Sequence, residues 1–323
     1  MRRNSFVNTS PKFAMSAPWQ RFGILLGTIG FIVVCFRVAT KSSEDGDKSK
    51  HGDPDISYSS MISVPIEEVM AGDPIVLAQD DPRVTQYIWN HGYIVAPSEI
   101  DYNLTAPNKN PSMGQGQMIR KIFKDMKGGF FIESGALDGE TRSNTLFLEK
   151  ELGWKGLLIE ADPKNYGMVL EKRRKAWSSN TCLATKPYPH KVVFRQQFNV
   201  GKIKDDSSKS MGNKTASGYA VVQCFPVYSL LSALSVSTID YFSLDVEGVE
   251  MEVLANIPFD KVFIKTLSVE FNHVSAGKAG LRKVMEDKGY VVVGEVSHPQ
   301  GLANDFIFVH HSLHELIAAS KEQ

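Results

Sequence analysis

Short apolar runs alternate with segments of helical periodicity over most of the chain from about residue 115 onward. Runs bounded by polar residues or glycine are typical of buried parallel strands. We predict strands in FFIES, WKGLLIE, TCLA, KVVFRQQF, IDYFSL, KTLSVEF, YVVVGEV and NDFIFVHH. We predict helices in QMIRKIFKDM, SNTLFLEKEL, MEVLANI and LRKVMEDKGY. This order predicts an α/β fold with a seven-stranded, mostly parallel sheet, which the last two runs close as an antiparallel pair.

The first of these strands runs directly into a loop that contains an acid and two glycines. Glu133, Gly135 and Gly139 form the spacing E-x-G-x-x-x-G. A turn that leaves a parallel strand needs glycine where the backbone adopts positive φ or approaches a ligand. The spacing differs by one residue from the dinucleotide pattern G-x-G-x-x-G, and an acid precedes it, which favours S-adenosylmethionine over NAD. The structural alternative is a tight strand-to-helix turn of any α/β protein.

The second strand ends in another acid, roughly 20 residues beyond the glycine loop. In a βαβ unit a carboxylate at this place accepts hydrogen bonds from two ribose hydroxyls, so we predict that Glu160 binds the cofactor. The alternative is that Glu160 and Asp162 cap the following helix, which would have Pro163 in its first turn.

Two further polar groups follow predicted strands. Asp245 and Glu247 end one strand, and Glu270 and His273 end the next. Because ligands of open α/β sheets bind beyond the carboxyl ends of the strands, we expect both groups at the same crevice as Glu133. We predict Asp245, His273 and Glu247 as catalytic residues, with Asp245 or His273 as a base. A hard divalent cation held by the carboxylates and a purely structural role stay open as alternatives.

Several blocks together carry a family resemblance. They are GGFFIESGALDGETRSNTLFLEKELGWKGLLIEADP, TCLAT, VVQCFPVYSLLSAL, IDYFSLDVEGVEMEVL and LSVEFNH, in this order. They resemble the FkbM-type methyltransferases, and within them the membrane-anchored animal branch typified by the insect protein Star. The resemblance implies a class I methyltransferase fold, with S-adenosylmethionine bound at Glu133, Gly135, Gly139 and Glu160. It does not imply activity, because Star is associated with secretory-pathway trafficking.

Composition and charge narrow the range of partners. The chain has 323 residues, of which 42% are hydrophobic, so it can bury the core of one large domain. The formal net charge is +0, with no basic field to attract nucleic acid, so we expect no nucleic-acid partner. The expected partners are a membrane and a glycan, small-molecule or membrane-protein cargo.

The amino-terminal region predicts a membrane anchor. Residues 22–36 carry no charge, basic residues precede them and acidic residues follow. By the positive-inside rule we predict a cytosolic tail over 1–21 and a single-pass anchor over 22–39. A flexible stem would follow over 40–75, then a lumenal methyltransferase-like domain over 76–315 and a tail over 316–323.

Two observations bear on the lumenal prediction. Asn103-Leu104-Thr105 and Asn213-Lys214-Thr215 are glycosylation sequons. Cys182 and Cys224 are the two cysteines outside the predicted anchor, and they could pair in an oxidising lumen or remain buried thiols. The expected location is the membrane of the endoplasmic reticulum, Golgi or endosomes.

Two functions of different classes are therefore compatible with the sequence. The first is an S-adenosylmethionine-dependent O-methyltransferase of the secretory pathway. The second is a non-catalytic, Star-like trafficking or cargo protein on the same fold. An NAD-dependent oxidoreductase is disfavoured by the spacing of the glycine loop.

Overall fold

The computed structural model describes residues 31–33, 63–73, 75–205 and 217–322. The strands, in chain order, are β1 (Phe31–Val33), β2 (Ser63–Pro65), β3 (Phe130–Ser134), β4 (Lys155–Ile159), β5 (Trp177–Ser179), β6 (Cys182–Leu183), β7 (His190–Arg195), β8 (Lys202–Asp205), β9 (Tyr219–Phe225), β10 (Thr238–Leu244), β11 (Phe263–Glu270), β12 (Tyr290–Ser297) and β13 (Asn304–His310). The helices are α1 (Ile66–Ala71), α2 (Pro82–Asn90), α3 (Gln115–Ile122), α4 (Leu146–Leu152), α5 (Pro163–Glu171), α6 (Val227–Ala233), α7 (Glu250–Asn256), α8 (Gly277–Asp287) and α9 (His314–Lys321).

A seven-stranded sheet organises the chain, in the order β12-β13-β11-β10-β3-β4-β5. The strands β11, β10, β3, β4 and β5 are parallel to one another. Strand β13 is antiparallel to both β11 and β12. The predicted mostly parallel sheet and its antiparallel closing pair are confirmed.

Helices cover both faces of this sheet because its strands are apolar on both sides. Successive side chains of a strand point to opposite faces. Ile132 packs into one hydrophobic core with residues of α2, α6, α7 and α8, whereas its neighbour Phe131 packs into the other with residues of α3, α4 and α9. Both side chains are fully buried. Continuous apolar runs were therefore the correct signal for these strands.

The direction of the chain reverses between β3 and β10, which are adjacent and parallel. From β3 the chain proceeds through α4 to β4 on one side, and from β10 it proceeds through α7 to β11 on the other. Such a switch point leaves a crevice beyond the carboxyl ends of the two central strands, where ligands of open α/β sheets bind.

A second sheet, in the order β6-β9-β7-β8, is inserted between β5 and β10. The Cys182–Cys224 disulfide joins β6 to β9. The sequence predicted strands at β6 and β7 but not their assembly into a separate sheet. Strand β8 (Lys202–Asp205) was not predicted, and residues 206–216 lie outside the described part. The sequence of β8 is polar except for Ile203, so it contains no apolar run that would predict a strand, although Ile203 packs in the core of this sheet.

The predicted anchor over 22–39 lies outside the described residues, except for Phe31–Val33, which pair antiparallel with Ser63–Pro65. None of the helices in the described part of the chain is both long and apolar enough to cross a membrane. The predicted cytosolic tail and most of the predicted stem also lie outside that part.

The structure places both ends of the folded unit beyond the predicted bounds of 76 and 315. Helix α1 belongs to the predicted stem, yet its Val69 and Met70 are buried in the core. Helix α9 includes most of the predicted carboxyl-terminal tail, and its Ala319 is buried. Both helices are short, with six and eight residues, so they are too short to give a clear periodic signal.

A buried ion pair joins α4 to the segment that precedes β5. The Arg174 Nε atom lies 3.0 Å from the Glu149 Oε2 atom, and both side chains are almost fully buried. The same guanidinium donates to the Gly139 carbonyl oxygen, to Ser143 Oγ and to Thr145 Oγ1. Arg174 therefore holds the end of the glycine loop and the start of α4 in one place.

We predict that Arg174→Ala lowers the free energy of unfolding by about 3 kcal/mol, because it leaves the buried Glu149 carboxylate without its partner. Lys283→Ala is the matched control, since the Lys283–Asp287 pair is largely exposed and such pairs contribute about 0–1 kcal/mol. Urea unfolding followed by circular dichroism measures both. Equal losses in the two variants would contradict the assigned role of Arg174.

Candidate functional site

A cleft opens beyond the carboxyl ends of β10, β3 and β4, with an empty volume of about 960 Å³ including the solvent at its mouth. Five of the seven predicted site residues line it: Glu133, Gly135, Glu160, Asp245 and Glu247. The other two, Gly139 and His273, do not line it. Gly139 lies against α5, and the exposed His273 side chain contacts Glu247.

Gly135 makes a close contact between the ends of the two central strands. Its φ is +85°, and a Cβ atom added there would lie 2.2 Å from the carbonyl oxygen of Asp245. A left-handed backbone in direct contact with a neighbouring strand end admits only glycine. Gly139 also has positive φ, at +83°, and its N–H donates to the Ala136 carbonyl oxygen, which closes the loop.

The Glu133 carboxylate is occupied by donors of its own chain. It accepts hydrogen bonds from Ser143 Oγ at 2.8 Å, from the Asn144 N–H at 2.6 Å and from Thr145 Oγ1 at 2.6 Å. Burial raises the pKa of Glu133, while the Arg174 guanidinium and the three donors oppose that rise. Glu133 therefore fixes the segment that follows the glycine loop and presents part of its surface to the cleft.

Glu160 joins the glycine loop to the turn after β4. Its Oε2 atom accepts from the Leu137 N–H and its Oε1 atom from the Asp162 N–H, each at 2.8 Å. The Asn165 side chain also interacts with this carboxyl group, and the acceptor capacity that remains suits a hydroxyl group in the cleft. Burial raises the pKa of Glu160 to about 7.

The alternative role of helix capping belongs to Asp162 rather than to Glu160. Asp162 is the N-cap of α5, and its Oδ1 atom accepts from the Lys164 N–H. Pro163 occupies the first turn, as the sequence predicted. Glu160 instead faces the cleft.

Five carboxyl groups form an acidic cluster at the other end of the cleft: Asp245, Glu247, Glu250, Glu270 and Asp305. Asp245 and Glu247 line the cleft, and the other three are buried behind them. The turn after β10 is held by Glu250, which accepts from the N–H groups of Val246 and Gly248. The His273 Nδ1 atom lies 3.1 Å from Glu247 Oε2 and 3.0 Å from Glu270 Oε1.

Burial and mutual repulsion raise the pKa of these acids. Although the Asp245 side chain is open to solvent in the cleft, its desolvation there, together with Asp305, Glu247 and Glu250, raises its pKa well above the ordinary value. Burial, with Asp245 as the largest charge contribution, raises the pKa of Glu270 to about 9. Burial raises the pKa of Asp305 to about 6. The cluster therefore holds protons at neutral pH.

The same groups could hold a cation. Glu247, Glu270 and His273 bring one ligand atom each within 4.8 Å of one another, and so do Asp245, Glu250 and Glu270. Oxygen donors with one imidazole suit a divalent cation. A base, a cation site and a structural role for Asp245 and Glu247 are all compatible with this geometry.

The end of the cleft near β5 is apolar. It is lined by Thr181, Cys182 and Leu183 at the start of the inserted sheet, by Phe194 of β7 and Ile203 of β8, and by Phe198 of the loop between these two strands. The cleft thus has an apolar end next to Glu160 and an acidic end next to Asp245.

Sequence reasoning missed several residues on which this site depends. Arg174 and Asp305 are distant in the chain from the motifs, and no local spacing identifies them. Asp305 did leave one signal, because it is an acid at the start of an otherwise apolar strand at the same sheet edge. The SNT segment, Ser143 to Thr145, was interpreted only as the start of a helix, whereas it supplies all the donors to Glu133.

Comparison with known proteins shows which family the segment around the cleft resembles. Residues 133–292 match the family model described as the methyltransferase FkbM domain. The match begins at Glu133 and includes Glu160, Asp245 and His273. No curated protein matches the chain, and the comparisons do not support the Star-like branch.

Three solved structures are similar. A methyltransferase FkbM from Methylobacillus flagellatus KT has 13% identity and a TM-score of 0.36, covering 57% of this chain and 44% of its own. A TehB-like SAM-dependent methyltransferase from Corynebacterium glutamicum has 11% identity and a TM-score of 0.35, covering 71% and 100%. M. capricolum TrmK in complex with S-adenosyl-homocysteine has 11% identity and a TM-score of 0.33, covering 59% and 67%.

This chain spans less than half the length of the first of these structures. Similarity at these TM-scores does not define a fold, so the methyltransferase-like architecture rests on the strand order and on the family match. Over residues 133–292, which include the glycine loop, Glu160 and the acidic strand ends, the chain is similar to the methyltransferase FkbM domain family.

Proposed function

We propose that this protein is an S-adenosylmethionine-dependent methyltransferase that transfers the methyl group to an oxygen acceptor. The observation that carries the proposal is the position of Glu160 and of the glycine loop at the switch-point cleft, inside the segment that matches the FkbM domain. S-adenosylmethionine supplies the methyl group when bound.

The residues at the cleft fit such a cofactor. Gly135 lines the cleft and lets the loop pass directly against the Asp245 carbonyl oxygen, which a Cβ atom would meet. Glu160 lines the cleft and keeps acceptor capacity for a ribose hydroxyl beside its bonds from Leu137, Asp162 and Asn165. The apolar end beyond Glu160, which includes Leu183 and Phe194, suits a flat heteroaromatic base.

The acidic end suits an acceptor that loses a proton. Asp245 opens to the cleft, and its raised pKa makes it a better base than an ordinary aspartate near neutral pH. Glu247 contacts His273, which also contacts Glu270, so a proton taken up at the cleft can be shared with the groups behind it. In the proposal Asp245 is the base, and Glu247 and His273 support it.

The membrane anchor and the lumenal location remain part of the proposal. The Cys182–Cys224 disulfide supports an oxidising compartment, where such bonds persist. Asn103 is exposed, as a glycosylation acceptor must be. The expected acceptor is a glycan, a small molecule or a membrane-protein cargo of the secretory pathway.

We expect the protein to bind S-adenosylmethionine and S-adenosylhomocysteine, and Glu160→Ala to lose that binding. Titration calorimetry on the full chain measures both, with thermal melting to show that each variant is folded. Glu171→Ala is the control, because Glu171 lies at the exposed end of the helix that follows Glu160. Absence of binding to folded wild-type protein would refute the proposal and favour the non-catalytic trafficking role.

Ligand affinity should increase with pH through about 7. Burial raises the pKa of Glu160 to about 7, so the carboxyl group is mainly protonated at pH 6 and mainly ionised at pH 8. The ionised form accepts more hydrogen bonds from ribose, so affinity should rise by about tenfold over this range. 5′-Methylthioadenosine is the probe, since it has the ribose but no amino group that titrates. A pH dependence that persists in Glu160→Gln would assign the effect to another group.

Asp245→Asn should remove turnover and leave S-adenosylhomocysteine affinity nearly unchanged, because the amide keeps the shape of the side chain but cannot accept the proton. The measurement is transfer of labelled methyl groups in a screen of glycans and hydroxylated small molecules, beside calorimetry of the same variant. Turnover equal to that of the wild type would exclude Asp245 as the base.

A further inference from the structure

We propose that Phe198 stacks on the adenine ring of the bound cofactor, and that the hydrogen bonds of its loop to the start of α5 hold it there. The inference deepens the proposed function and rests on it. It adds a binding residue from the inserted sheet that none of the sequence motifs contains.

The exposure of Phe198 is the first observation. The exposed large hydrophobic side chains of the described ranges are Val76, Trp89, Val95, Ile100, Leu170, Phe198 and Val221. Phe198 is the member of this set that lines the cleft, and 50% of its surface is exposed. Covering an exposed aromatic face with a ligand removes apolar surface from water and adds a stacking contact.

The loop that carries Phe198 is fixed to the nucleoside end of the cleft by two hydrogen bonds. The Asn165 Nδ2 atom donates to the Phe198 carbonyl oxygen at 2.8 Å. The Gln196 Nε2 atom donates to Asp162 Oδ1 at 2.8 Å. Asp162 and Asn165 belong to the start of α5, directly after Glu160. The position of Phe198 is therefore coupled to the acid that would bind the ribose.

The neighbours of Phe198 provide a rigid apolar wall. Phe194 is buried, and a Cβ atom at Gly201 would approach its ring to 2.9 Å, so backbone packs directly on that ring. Leu183 and Ile203 line the same side of the cleft. A planar base that enters beside Glu160 meets this wall and the Phe198 ring.

Distance along the seven-stranded sheet separates the apolar wall around Leu183 from Asp245. Strands β10 and β5 are three strand spacings apart in the order β10-β3-β4-β5, which is about 14 Å. Asp245 follows β10, whereas the wall around Leu183 follows β5. The wall is therefore suited to the nucleoside, and the hydrogen bonds of the Phe198 loop to Asp162 and Asn165 connect Phe198 to the same end of the cleft.

The test is calorimetry on the full chain with S-adenosylhomocysteine and 5′-methylthioadenosine, which share the adenosine and differ in the amino-acid part. Stacking between a base and an aromatic side chain contributes about 1–3 kcal/mol, so Phe198→Ala should weaken binding by roughly 5- to 150-fold. The fold-loss should be the same for both ligands. Phe198→Tyr, which keeps the ring, should bind like the wild type.

Two further variants separate stacking from general damage to the inserted sheet. Val221→Ala removes an exposed apolar side chain of the same sheet that does not line the cleft, and it should bind like the wild type. Gln196→Ala removes one loop hydrogen bond and should weaken binding less than Phe198→Ala. Thermal melting of each variant shows that it is folded.

The outcomes distinguish this inference from the proposed function. The stacking role would be overturned if Phe198→Ala bound as tightly as the wild type, or if Phe198→Tyr lost as much affinity as Phe198→Ala. Either result would leave the methyltransferase proposal intact. A loss seen with S-adenosylhomocysteine but not with 5′-methylthioadenosine would also overturn it. No binding of either ligand to the folded wild type would overturn both.

Discussion

The cleft depends on one buried carboxylate, that of Glu133 at the end of the central strand β3. Its removal from water is unfavourable unless donors surround it, and three donors from residues 143–145 do so. Arg174 contributes the compensating charge and also donates to the Gly139 carbonyl oxygen. The hydrogen bonds to the Glu133 carboxylate and from Arg174 therefore fix the conformation of the chain between Gly135 and α4.

This conformation brings the carboxyl ends of β3 and β10 close together. The Asp245 N–H donates to the Ser134 carbonyl oxygen, so the two chain segments remain in contact where they leave the sheet. Gly135 is needed at this contact because its φ is positive and a side chain would meet the Asp245 backbone. The cleft therefore has an apolar end over β4 and β5 and an acidic end over β10 and β11.

The large sheet and the acids at its strand ends were predictable from sequence. Apolar runs identify strands buried on both faces, and parallel strands bring their carboxyl ends to one edge, so Glu133, Glu160 and Asp245 were expected together. Arg174, Asp305 and Phe198 were not, because their roles depend on contacts between segments far apart in the chain. Gly139 illustrates a partial success: the glycine is required for its positive φ, but it faces α5 instead of the cleft.

The carboxyl groups of the acidic cluster cannot all be ionised at neutral pH, because burial and mutual repulsion raise their pKa values. Burial raises the pKa of Asp305 to about 6 and of Glu270 to about 9, so protons leave the cluster in steps across the neutral range. Burial and the charges of Asp305, Glu247 and Glu250 raise the pKa of Asp245, so it binds a proton more readily than an ordinary aspartate. A cation in the cluster would lower all of these pKa values together, since its charge would replace the protons. Protons and a cation would therefore compete for Asp245, Glu247, Glu250 and Glu270, and the pH at which these acids release protons distinguishes the two states.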